Sequence, residues 1–195
     1  IFPDKLQIGT IRLVRDGGLF DNSSATMRLK NWGQILTEEQ TPDLLDLEQD
    51  CLFDFEALNA LASAKDVKIF ISQHNFLRIP PYPVLTALEE DAKRVGASGV
   101  KIAAMSNAEG DSDPLYDFIQ EFSKDFPYFS AFAMGNTGKP SRILSLLKGA
   151  NLSYGSILES SVPGQLSVRL MHEILTKITE INDETAIRQF LNQSL

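Results

Sequence analysis

A parallel α/β fold is predicted by three features of the 195-residue chain. Short, nearly continuous apolar runs alternate with amphipathic stretches, so the hydrophobic period switches repeatedly between strand-like and helix-like. The apolar runs are apolar on both faces, as in strands covered by helices on a parallel sheet. Each strand-plus-helix unit takes roughly 25 to 40 residues, a spacing typical of β/α folds. Gly17-Gly18 after the first run lacks the spacing of a dinucleotide fingerprint, and no Walker-type loop occurs. A (β/α)8 TIM barrel is therefore favoured over a nucleotide-binding doubly wound sheet.

The strands are expected at Leu6–Leu13, Leu44–Glu48, Val67–Gln73, Gly99–Met105, Tyr128–Met134 and Leu152–Ile157. Helices are expected at Ser23–Leu36, Asp54–Ser63, Tyr82–Val95, Asp113–Lys124, Ser141–Lys148, Gln165–Ile178 and Glu184–Gln193. The clearest is Tyr82–Val95, with Val84, Leu85 and Leu88 on one side and Glu89-Glu90-Asp91 on the other. Asp113-Pro114 is a good helix start, because proline at the first position lacks only an N–H that would be unpaired anyway. About six of the eight βα units of a closed barrel are thus counted. No linker divides the chain, so residues 1–195 are expected to form a single barrel domain that is N-terminally incomplete. The opening Ile1-Phe2-Pro3, without a methionine, agrees with strands lying upstream.

Apolar residues make up 43% of the chain and charged residues 23%, ordinary for a globular domain. The net charge of -8 argues against nucleic acid and anionic membrane surfaces as partners. No run is long enough for a transmembrane helix. The single cysteine, Cys51, excludes an internal disulfide and fits a reducing, cytoplasmic setting. With two histidines and no cysteine-rich motif, no metal centre is expected.

Barrel enzymes carry their reacting groups at the C-terminal ends of strands. His74 closes the third apolar run, and Lys101 lies inside the fourth, on the strand face it shares with Ala103 and Met105. A buried ammonium is costly unless paired, deprotonated or made covalent. A lysine and a histidine on successive strands therefore suggest imine chemistry with a general base beside it. Taken singly, each candidate has a plainer account. His74 is as readily a satisfied strand-end histidine, Lys101 a snorkelling lysine, and Arg12 with Asp16 a surface pair. Arg142 and Gln165 read equally well as residues that simply open helices. His172 lies on the solvent side of its helix and is assigned nothing.

Together the motifs are more specific. Gly9-Thr10-Ile11-Arg12, Asp46-Leu47-Glu48, Ser72-Gln73-His74-Asn75-Phe76, Val100-Lys101-Ile102-Ala103-Ala104-Met105, Met134-Gly135 through Ser141-Arg142, and Ser161-Val162-Pro163-Gly164-Gln165 occur in one order over nearly the whole chain. In that order they resemble type I 3-dehydroquinate dehydratase, a (β/α)8 barrel of the shikimate pathway. The resemblance implies that Lys101 forms an imine with the C3 ketone of 3-dehydroquinate. His74 would take a proton from C2 and return one to the departing hydroxyl. Arg142 would clamp the substrate carboxylate, Ser161 and Gln165 would bond its hydroxyls, and Arg12 would line the pocket. It implies no cofactor, a small-molecule substrate and a homodimer.

The chain departs from that family in places. Asp16-Gly17-Gly18 stands where a glutamate usually precedes the two glycines, so Asp16 becomes the candidate for orienting His74 with a shorter reach. Gln73, Phe132 and Asn136 also differ from the common residues. The family's first two strands have no counterpart. A dehydroquinase-like domain that binds a metabolite or partner without turnover is the alternative these departures motivate. A class I aldolase, which also uses a barrel lysine, fits the His74-Asn75-Phe76 and Pro163-Gly164-Gln165 segments less well.

Overall fold

The computed structural model describes residues 5–21, 25–38, 41–158, 164–181 and 183–195. The chain packs as two compact units, one of residues 1–74 and 86–101, the other of residues 75–85 and 102–195. Parallel strands with intervening helices make it an α/β fold.

The first unit carries β1 (Ile8–Thr10), α1 (Ala25–Ile35), β2 (Leu44–Glu48), α2 (Phe55–Ser63), most of β3 (Lys68–Asn75) and the start of β4 (Gly99–Met105). β1 and β2 pair in parallel with Ile8 beside Leu44 and Thr10 beside Asp46. β2 and β3 do the same, with Leu45 beside Ile69, Asp46 beside Phe70, Leu47 beside Ile71 and Glu48 beside Ser72. Side chains alternate faces along a strand, so this register makes one face of the unit apolar and the other polar. Leu45, Leu47, Ile69 and Ile71 are buried on the first face, and Leu58, Ala62, Leu88 and Ala92 on the helices are buried too. Each large aliphatic side chain so removed from water contributes about 1.5–3 kcal/mol. A slip of one residue would exchange those side chains for Asp46 and Glu48, which fixes the register.

β1 is shorter than the run Leu6–Leu13 predicts. Beyond Thr10 the chain leaves the ladder, and Leu13 makes only an isolated parallel bridge to Phe20. At Gly9 a side chain would press on the Pro42 ring at 3.0 Å, so glycine eases the close approach of the strand there. The helix expected from Ser23 is described from Ala25 onward.

The second unit carries the remainder of β4, α4 (Asp113–Phe122), β5 (Tyr128–Met134), α5 (Ser141–Leu147), α6 (Val168–Ile178) and α7 (Glu184–Ser194). The helix α3 (Tyr82–Val95) has the predicted bounds and contributes to both units. Phe118 and Phe129 pack ring to ring at 5.4 Å, and both are wholly buried. α6 begins at Val168, later than predicted, because the Ser167 hydroxyl accepts the Leu170 N–H at 3.1 Å and sets the cap there. Asp183 caps α7 in the same way.

The sixth strand, expected over Leu152–Ile157, is not formed. Among the described residues there are five strands, and this segment makes only a bridge between Ser156 and Ser167. Its polar groups are engaged elsewhere. The Tyr154 carbonyl accepts from Arg142 at 3.0 Å, and the Ser153 hydroxyl donates to the Arg142 carbonyl at 2.9 Å. The count of six βα units is thereby reduced to five strands.

Candidate active site

The polar face of the first unit is a row of ionisable residues on adjacent strands. Asp46 and Glu48 come from β2, Ser72 and His74 from β3, and Lys101 from β4. Arg12 reaches this row because the chain leaves β1 just before it. Asp46, Glu48 and Lys101 are all less than a tenth exposed.

Asp46 is the hub. One carboxylate oxygen accepts from the Lys101 ammonium at 2.9 Å and also from the Arg12 guanidinium. The other accepts from the Ser72 hydroxyl. Burial alone would push its carboxyl up, but Lys101, then Arg12 and the Ser72 hydrogen bond outweigh it and hold the pKa below the usual value. Glu48 is held from two sides, by Arg12 at 3.2 Å and by buried Arg28 of α1. The charges therefore alternate in sign from Arg28 through Glu48, Arg12 and Asp46 to Lys101. Such alternation is what lets a protein keep this many charges out of water.

Lys101 has its pKa lowered, chiefly by desolvation; Asp46 opposes the shift and Arg12 adds to it. His74 is held neutral more strongly. Burial first, then the positive charges of Lys101 and Arg12, push its imidazole down to about 3, against the opposing pull of Asp46. Its Nδ1 lies 3.1 Å from an Arg12 nitrogen.

Asp16 pairs with Arg15 at 3.5 Å. It also lines a cavity of about 180 Å³ together with Glu48, Asp50, Ser72, Gln73 and His74. Burial, and then the neighbouring Glu48 carboxylate, raise its pKa. Among the described residues, no three of His, Cys, Asp or Glu converge as the ligands of a metal ion would.

In the second unit, Arg142 is 2% exposed and opens α5. Its guanidinium donates to the carbonyls of Gly164 and Tyr154, both at 3.0 Å, and lies 4.3 Å above the Phe132 ring. No carboxylate among the described residues offsets it, and burial lowers its pKa to about 10. Gly164 has φ +76° and its backbone lies against that of Gly135, where a side chain would clash with the Gly135 carbonyl. Glycine is needed there on both counts. Gln165 is half-buried and follows it, whereas Ser161 lies outside the described residues. His172 is exposed, as its helix pattern predicts.

Within the first unit the structure thus brings Arg12, His74 and Lys101 together, and within the second it seats Arg142 beside the backbone of Gly164. Sequence reasoning gave Asp46, Glu48 and Arg28 no role, although two carboxylates at alternate positions of an otherwise apolar strand are a readable signal.

Three comparisons with known proteins agree. Residues 2–182 match the family described as Type I 3-dehydroquinase. A 3-dehydroquinate dehydratase from Lactococcus lactis subsp. cremoris (strain MG1363) is 32% identical over 179 residues, 89% of this chain and 73% of its own length. One from Pyrococcus abyssi is 31% identical over 182 residues, 92% of this chain and 79% of its own. Among solved structures, the 3-dehydroquinate dehydratase from Geobacillus kaustophilus HTA426 superposes with a TM-score of 0.82 at 23% identity, covering 90% of this chain and 68% of that one. The type I enzyme from Clostridium difficile, solved with covalently modified comenic acid, gives 0.76 at 24%, with 90% and 69% covered. At these identities the structural likeness establishes the fold alone.

Proposed function

Because the chain belongs to the type I 3-dehydroquinase family, we propose that it is a hydro-lyase converting 3-dehydroquinate to 3-dehydroshikimate and water through an imine on Lys101. The observation that carries this reading is a buried lysine of lowered pKa on the same sheet face as a neutral histidine. An amine must be neutral to attack a ketone, and desolvation favours that form. Asp46, 2.9 Å from the amine, is placed to accept a hydrogen bond from it throughout.

Attack of the neutral Lys101 amine on the C3 carbonyl gives a carbinolamine, and a proton delivered to its hydroxyl carries that group off as water and leaves a cationic imine. That imine draws electrons from the neighbouring C–H, so the C2 proton can pass to His74. The electron pair left at C2 then expels the C1 hydroxyl, which leaves as water with the proton His74 returns. Hydrolysis of the imine frees the product and restores Lys101. On the same reading Arg142 binds the carboxylate, since its buried guanidinium lacks a carboxylate partner among the described residues. Ser161 and Gln165 bond substrate hydroxyls, Arg12 lines the pocket, and Asp16 helps orient His74. We further infer a cytoplasmic homodimer working without a cofactor. Among the described residues no helix is long and apolar enough to cross a membrane.

Borohydride added with 3-dehydroquinate should leave a reduced adduct on Lys101, located by peptide mass. Lys101→Ala should form no adduct and lose turnover. Parent-like dehydratase activity in Lys101→Ala would sink the imine mechanism.

A further inference from the structure

We propose that Arg12 is a positioning residue that locks His74 of the free protein in its Nε2–H tautomer, withholding the ring's basic nitrogen until Arg12 is drawn away. The argument is one of donors and acceptors. A guanidinium has N–H donors and no acceptor. Its Nη1 stands 3.1 Å from His74 Nδ1. A hydrogen on Nδ1 would therefore face another donor at hydrogen-bonding distance, so Nδ1 is bare and accepts. A neutral imidazole with a bare Nδ1 carries its proton on Nε2.

Arg12 is itself held firmly enough to impose this. Its other terminal nitrogen is paired with Asp46, and the two hydrogens of Nη1 are shared among His74, Glu48 at 3.2 Å and Ser72 at 3.1 Å. The described groups facing the ring include Arg12 from the β1 side, Asp46 and Glu48 of β2, Ser72 of β3, Lys101 of β4, and the cavity carboxylates Asp16 and Asp50. The two cations among them keep the ring neutral, in line with its depressed pKa.

The consequence for catalysis rests on the dehydratase reading. In the free protein the ring is a donor at Nε2, and its one lone pair is occupied by Arg12. It takes a proton only after substrate oxygens compete for the guanidinium and release Nδ1. The base is thus switched on by occupancy rather than by pH.

The chain has two histidines, and His172 is exposed, so long-range ¹H–¹⁵N correlation spectra of the labelled folded protein are assigned with a single His172→Gln variant. The expected spectrum shows His74 neutral and protonated at Nε2 at neutral pH and well into the acid range. Arg12→Lys, also a donor without an acceptor, should keep that tautomer. Arg12→Met should lose it, let His74 titrate closer to the ordinary histidine range, and move the acid limb of kcat/KM upward with it. An Nδ1–H tautomer or an imidazolium in the parent protein at neutral pH overturns the proposal, as does a folded Arg12→Met with parental tautomer and titration. Should Arg12→Met fail to fold, the parent and Arg12→Lys spectra decide. A protein with the stated tautomer but no dehydratase activity would sink the functional reading and leave this one standing.

Discussion

A part-buried and a buried guanidinium group in this molecule, Arg12 and Arg142, are handled in opposite ways. Arg12, in the first unit, is matched by Asp46 and Glu48 and belongs to a chain of alternating charges. Arg142, in the second, is satisfied by two backbone carbonyls and an aromatic face, with no carboxylate among the described residues to balance it. A matched charge serves to hold geometry, because removing either partner strands the other in a dry interior. An unmatched charge is costly to keep, and the cost is recovered when an anion arrives. On the proposed function, the difference separates a region that positions reacting groups from one suited to receive a charged ligand.

The comparison is broken most severely at the matched site. Asp46→Asn removes the charge that offsets both Lys101 and Arg12, and the expected loss is about 3–5 kcal/mol of folding stability, read from urea unfolding midpoints. A loss below about 1 kcal/mol would mean that the buried chain of charges is solvated after all. At the unmatched site the effects should divide differently. Arg142→Met strands no carboxylate, so its stability loss should be smaller than that of Asp46→Asn. Its kcat/KM for 3-dehydroquinate should fall by roughly 10²-fold or more, the scale for truncating one partner of a buried charged hydrogen bond. An unchanged kcat/KM would remove the carboxylate role.

The most gradual effect is a slope in pH. The His74 pKa is lowered to about 3 from 6.5, so the unfolded chain takes up this proton first. The stability linked to it is full above the unfolded value and is lost progressively as pH falls from about 6.5 toward about 3. Asp46, also lowered, adds its own loss only below the ordinary aspartate range of about 4. Unfolding midpoints across pH should show both segments, and a His74→Gln variant should lose only the upper one. An upper segment that survives in that variant would assign the slope to another group.

Much of this is legible in the sequence. The bounds of β2, β4, β5 and α3 follow from their hydrophobic period and agree with the structure, because a run buried on both faces and a one-sided helix leave different patterns. The Leu152–Ile157 run misled. Its apolar ends look like a strand, yet Ser153 and Tyr154 are committed to hydrogen bonds with Arg142, a residue adjacent only in space. The helix start at Val168 was missed for a local reason, the Ser167 cap.

The sequence by itself determined the α/β alternation, the family and the identity of the candidate residues, Lys101, His74 and Arg142 among them, since residue type and chain order carry that information. The tertiary structure alone decided their electrostatic state. Whether Lys101 is paired, which neighbour holds His74 and which arginine lacks a counter-charge depend on distances between strands remote in sequence. At those distances, with water excluded, a displacement of an ångström or two decides whether a charge is matched or left open.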